Sequence, residues 1–180
     1  MKSLKLISAL IIAGGALASQ IAAAAPTSGT ITFNGALVAD TCVVDAGAGN
    51  SFAVTLPSVQ TTAFTGVGNA QGTTPFTIAL TGCSVGVPVR AFFSGANING
   101  TTGNLTNLGV ATGVEVQMLN STNAVINLAG ADATAQGDTL LTTDATGAAT
   151  LGYSAQYLST AAAPTAGSVT SNVNYEIVYQ

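Results

Sequence analysis

Asp132, Asp138 and Asp144, six residues apart in a stretch rich in Ala, Thr and Gly, are the nearest approach this 180-residue chain makes to a constellation of carboxylates. Paired carboxylates can serve as general acid and base. A calcium loop, however, needs acidic or amide ligands at alternate positions, and this spacing does not supply them. The three read as solvated loop residues. There is no histidine anywhere in the chain. That removes Ser-His and Cys-His nucleophile pairs, an imidazole base and the usual zinc or copper ligand sets. No catalytic residue, metal site or cofactor is therefore expected. Asn99-Gly-Thr, Asn104-Leu-Thr and Asn120-Ser-Thr match the glycosylation pattern. Asn, Gly and Thr are frequent enough here for chance to produce all three.

Cys42 and Cys83 are the only cysteines, and how they read depends on the compartment. Lys2 and Lys5, the largely apolar run from Leu6 to Ala18 and the small residues Ala22 to Ala25 have the pattern of a secretory leader, with cleavage near Ala24 or Ala25. The run is shorter than the ~20 residues that span a bilayer. An exported chain meets an oxidising compartment, where two cysteines pair. Such a bridge would be worth on the order of 4 kcal/mol in the chain-entropy account. Two free thiols or a metal pair are the alternatives, and the metal pair lacks further ligands.

Loss of the leader leaves Arg90 as the one basic residue against seven acidic ones. A chain with a single Arg cannot neutralise a run of phosphates, so nucleic acid is excluded as a partner. Peripheral binding to anionic membranes fails for the same reason, and with the apolar run too short to span, no direct membrane insertion is expected. A surface that is polar but mostly uncharged suits an extracellular shaft.

The elements that must position these residues read as short strands. Ser51 to Leu56, Pro75 to Cys83, Val89 to Ser94, Gly113 to Leu119, Ala124 to Leu128, Thr139 to Thr142, Ala149 to Ser159 and Ser168 to Gln180 are strand-like. Asn120 to Asn123 would turn one strand back on the next as a hairpin. No helical periodicity interrupts them, and the pattern predicts an all-β antiparallel sandwich. In the last strand Val169, Val173, Tyr175, Ile177 and Tyr179 share a face. Ahead of Cys42, Ile31, Phe33, Gly35, Leu37 and Ala39 share a face of another extended segment. Gly35 interrupts that face, which would weaken a strand packed in its own sheet.

The leader, GTITFNGALVADTCVVDAG at Gly29 to Gly47, Cys83 and the terminal NVNYEIVYQ together resemble the pilin subunits of chaperone–usher fimbriae, in particular the type 1 major subunits. Tyr179 as penultimate residue and Gly167 as the fourteenth from the end are marks of that family. The resemblance implies an incomplete immunoglobulin-like sandwich, open beside its last strand and completed by a donor strand from a neighbouring subunit. It implies a leader over residues 1–24, a donor arm over 25–40 and a pilin domain over 41–180. Ile31, Phe33, Gly35 and Leu37 would form the donor face, and Gly167, Val173, Tyr175, Ile177 and Tyr179 the strand bordering the groove. The implied partners are identical or related pilin subunits, a periplasmic chaperone and an outer-membrane usher. The implied location is a fimbria on the cell surface, reached through the periplasm, where it supports adhesion. A secreted carbohydrate-binding sandwich is the rival reading. It would want clustered loop aromatics, whereas this chain has no Trp and its four Tyr fall in the expected strands.

Overall fold

The computed structural model describes residue 32, residues 42–45 and residues 50–180. Among them are eight strands: β1 (Val43–Asp45), β2 (Ala70–Thr81), β3 (Pro88–Ser94), β4 (Leu105–Thr106), β5 (Val114–Asn120), β6 (Leu141–Thr142), β7 (Ala149–Ser159) and β8 (Asn174–Tyr179). A 3-10 turn covers Thr61–Ala63, and Asn50 also has 3-10 conformation. One sheet has the order β1-β2-β7-β5-β4 and the other β6-β3-β8. Each pairing is antiparallel.

Alternation of side chains fixes which faces meet. Ile78 and Leu80 of β2, Leu151, Tyr153 and Ala155 of β7, and Val116 and Met118 of β5 turn inward from the larger sheet. Val89, Ala91 and Phe93 of β3 answer them from the smaller one. Ile126 and Leu128, fully buried in the loop after β5, extend the same core. Phe93 meets Tyr153 edge-on with ring centroids 5.2 Å apart, tying the two layers together.

Cys42 and Cys83 form a disulfide. It joins the residue before β1 to the loop after β2, beside the Val43 and Thr81 pair of the ladder.

β5, β7 and the core of β2 lie where the periodicity expects strands, and the departures have local causes. The 124–128 segment forms one isolated bridge, Leu119 to Val125, rather than a strand. Its next backbone groups are claimed by loops: the Asn127 N–H donates to the Gln136 carbonyl and the Leu128 N–H to the Gly103 carbonyl. Residues 51–56 are not assigned to a strand. The final strand starts at Asn174 rather than Ser168. Ahead of it, Leu108 and Ala111 donate their N–H groups to the carbonyls of Thr170 and Ser168. That clasp uses the backbone bonds a longer strand would have needed. The two-residue β4 lies in a stretch with no strand signal of its own.

Candidate functional site: a groove beside the last strand

β8 is an edge strand. β3 pairs with it along its whole length, from Val89 with Tyr179 to Ser94 with Asn174. No described strand pairs with its other side. An edge strand left in this way presents a row of main-chain donors and acceptors, the template onto which another strand can add.

Beside this edge lies a groove of about 840 Å³. Val173, Tyr175 and Ile177 form one wall, and Phe52, Val54 and Leu56 face them from the other. Phe76, Ile78, Phe93 and Met118 make the floor. The groove therefore opens onto the hydrophobic core itself. The Phe52 ring reaches across, its centroid 5.9 Å from that of Phe76 in the floor and 6.3 Å from that of Tyr175 in the opposite wall. The Tyr175 hydroxyl donates to the Asn50 carbonyl at 2.6 Å, fixing the far wall to β8. Burial pushes that hydroxyl's pKa up, so it stays a donor.

The residues singled out from sequence separate into three groups. Val173, Tyr175 and Ile177 line the groove together. Tyr179 and Gly167 are not among its lining residues. The Tyr179 hydroxyl accepts the Cys42 N–H at 2.8 Å, which binds the end of β8 to the residue before β1, next to the disulfide. Gly167 sits in the clasp: a Cβ there would lie 2.7 Å from the Ala111 nitrogen and 3.0 Å from the Val110 carbonyl carbon. Only a residue without a side chain allows that approach. Ile31, Phe33, Gly35 and Leu37 lie outside the described residues. Phe52, Val54 and Leu56 were legible as an alternating face within the expected strand Ser51 to Leu56, but their sequence does not say what they face.

Asp132 and Asp144 are exposed turn residues, as their setting suggests. Asp132 Oδ1 accepts the Ala135 N–H, and Asp144 Oδ1 accepts those of Thr146 and Ala148. Asp138 is different, and the reading of it as a solvated loop residue is wrong. It is buried, and its Oδ2 accepts the Ala91 N–H and the Tyr153 hydroxyl, each at 2.9 Å. The three glycosylation-pattern asparagines are likewise used by the fold. Asn104 and Asn120 are buried, and the Asn99 side chain donates to Glu115 Oε1 at 2.7 Å.

This two-sheet arrangement is the fold of pilus subunits. The P pilus rod subunit PapA superposes with a TM-score of 0.60 at 16% identity, over 77% of this chain and 99% of that one. A Burkholderia pseudomallei antigen and type I fimbria protein gives a TM-score of 0.50 at 28% identity, over 77% of this chain and 88% of that one.

The chain belongs to the family described as "FimA: Type-1 fimbrial protein, A", whose model matches residues 56–180. It is 41% identical to the major fimbrial subunit SMF-1 of Stenotrophomonas maltophilia, over 91% of this chain and 99% of that protein. It is 32% identical to the fimbrial subunit type 1 of Salmonella typhimurium, over 96% of this chain and 94% of that protein. It is accordingly a structural subunit of a chaperone–usher type fimbria, from a family of pilins that polymerise with one another and not of enzymes. The family implies a cell-surface fimbrium as its location. No described helix is long and apolar enough to cross a membrane.

Proposed function

We propose that the groove beside β8 receives an N-terminal arm donated by the next subunit. Residues 25–40 form that arm, with Ile31, Phe33, Gly35 and Leu37 turned into the groove; residues 1–24 are the leader, and the folded domain begins at 41. A periplasmic chaperone occupies the same edge first and hands the subunit to an outer-membrane usher, where the arm replaces it. The resulting fimbria supports adhesion as a shaft carrying its tip outward.

One observation carries this reading: the outer edge of β8, unpaired among the described residues, runs beside a groove whose floor is the core. Strand addition at such an edge takes affinity from main-chain hydrogen bonds and specificity from alternate side chains entering pockets. An extended arm rises ~3.3 Å per residue, so residues 29–39 would reach ~36 Å, well beyond the six residues of β8. A contact in which one face donates and a different face accepts is head-to-tail, and one that does not close into a ring builds a filament.

Deletion of residues 26–37 tests it. The shortened subunit should fold and bind the chaperone but yield no multimers when surface material is run on a gel without boiling. A ladder like that of the parent would overturn the proposal.

A further inference from the structure

The smaller sheet has two edges, and a subunit that polymerises by strand addition has to expose only one. We propose that Gln136 and Asp138 seal the second edge, along β3, with side chains in place of a strand, and so confine strand addition in this sheet to β8. This rests on the groove being the acceptor for a donated strand.

On its free side β3 is paired by β6 over two residues alone, Pro88 with Thr142 and Val89 with Leu141. Continued, that register would put Thr139 opposite Ala91 and Gly137 opposite Phe93. The chain does not continue it: Gly137 adopts φ +79, and the segment turns away. In its place the Gln136 amide meets Phe93. Its Oε1 accepts the Phe93 N–H at 3.0 Å, and its Nε2 donates to the Phe93 carbonyl at 2.6 Å. A primary amide has the donor and acceptor of a peptide group, so Gln136 copies one residue of the missing partner strand. Two positions along, the Asp138 carboxylate takes the Ala91 N–H.

The two side chains are held for this task. The Gln136 N–H donates to the Asp132 carbonyl, its own carbonyl accepts the Asn127 N–H, and the Asp138 N–H donates to the Ala133 carbonyl. A Cβ at Gly130 would lie 2.6 Å from the Gln136 nitrogen, so the turn is closed tightly. Gln136 is 1% exposed and Asp138 8%. Without them the Ala91 and Phe93 backbone groups would be a short stretch of open sheet edge, and such edges recruit other chains. A second acceptor edge would allow a filament to branch or to associate side by side.

Amide exchange on assembled fimbriae of the full chain gives the first test. The Ala91 and Phe93 N–H groups should exchange as slowly as those of the β2–β7 ladder; exchange at loop rates would overturn the proposal. The second test replaces the side chain, in Gln136→Met, which loses both hydrogen bonds to Phe93 together with those to the Leu128 and Gly130 carbonyls, and Gln136→Glu, which keeps the acceptor and loses the donor. Gln136→Met should speed Phe93 exchange at least tenfold and give side-by-side bundles or thioflavin-positive aggregates by electron microscopy and dye binding, with Gln136→Glu intermediate. Unchanged exchange together with single unbranched filaments in Gln136→Met would sink the idea. If Gln136→Met fails to fold, Gln136→Glu and the parent's exchange rates decide. Failure of the donated-strand reading shows separately, as a parent with no ladder on an unboiled gel.

Discussion

Asp138 holds its carboxyl where burial opposes its charge. Desolvation raises its pKa above the ordinary Asp range, and the hydrogen bonds from Tyr153, Thr139 and Ala91, with the charge of Arg90, offset this only in part. Burial and the neighbouring carboxylate push the Tyr153 hydroxyl up in turn, so it remains a donor at any working pH. A carboxyl whose pKa is higher folded than unfolded takes up its proton more readily in the folded state. Stability therefore rises as pH falls through the folded pKa, and the gain is complete below the unfolded value. Asp144 has the opposite sign: bonds from Thr146 and Ala148 lower its pKa, so its contribution is present above the ordinary Asp value and lost as pH falls through the folded one. Asp138→Asn should abolish the acid-side gain while leaving the Asp144 loss. Thermal unfolding at about pH 7 and about pH 4 checks it: the parent's Tm should rise relative to the variant's on acidification, and a constant difference would refute the assignment. None of this was legible in the sequence around Asp138, whose neighbours are those of an ordinary loop. Its backbone partner, Ala91, lies 47 residues away.

At the level of elements, the strands read most easily were those whose two faces differ. β5 and β7 alternate apolar and polar side chains over most of their lengths, breaking at Leu119 and Leu158, and the sequence places them to within a residue. The segments flanking the groove were harder for a physical reason. Residues 51–56 and 168–173 have strand-like side chains, but strand assignment needs a neighbouring backbone, and neither segment is assigned to a strand. In 165–170 the partner is the loop 107–112. The Thr112 N–H donates to Thr165 Oγ1, the Thr170 N–H to Asn107 Oδ1, and the Ala111 N–H to the Ser168 carbonyl. Gly167 lets the two segments approach, and Val169 and Val173 follow it into the groove wall. Gly167→Ala would press a methyl group onto the backbone of Val110 and Ala111, which cannot move without breaking the clasp. Overpacking of this kind costs about 1–3 kcal/mol. The denaturant midpoint should fall by a corresponding amount with the slope unchanged, and a midpoint equal to the parent's would show that the clasp yields freely. Gly167 thus acts on the groove from outside it, which its distance from the chain end could not reveal.

For the whole molecule, the sandwich and its strand content were legible from alternation, whereas the groove depends on what is missing from a sheet, and no periodicity records that. Resemblance to pilins supplied it before the geometry did. What the geometry adds is how an incomplete sandwich is kept from coming apart at its open edge. The Cys42–Cys83 bridge, spanning 41 residues of sequence, and the Cys42 N–H to Tyr179 hydroxyl bond meet at one corner, so the first strand, the loop after β2 and the end of β8 are tied together there. Closing a loop of this size removes unfolded-state entropy worth on the order of 4 kcal/mol. Single domains have total stabilities of only about 5–15 kcal/mol, so a sandwich whose last strand has one edge unpaired among the described residues has little margin without the bridge. The double substitution Cys42→Ala, Cys83→Ala should therefore lower unfolding free energy by about 4 kcal/mol in denaturant titrations. It should also reduce the multimer ladder on unboiled gels through loss of folded subunit, with the filaments that do form keeping the parent's width. Equal stability of the double variant and the parent would show that the corner is held by β1, Tyr179 and the core alone, and that the bridge is dispensable to the domain.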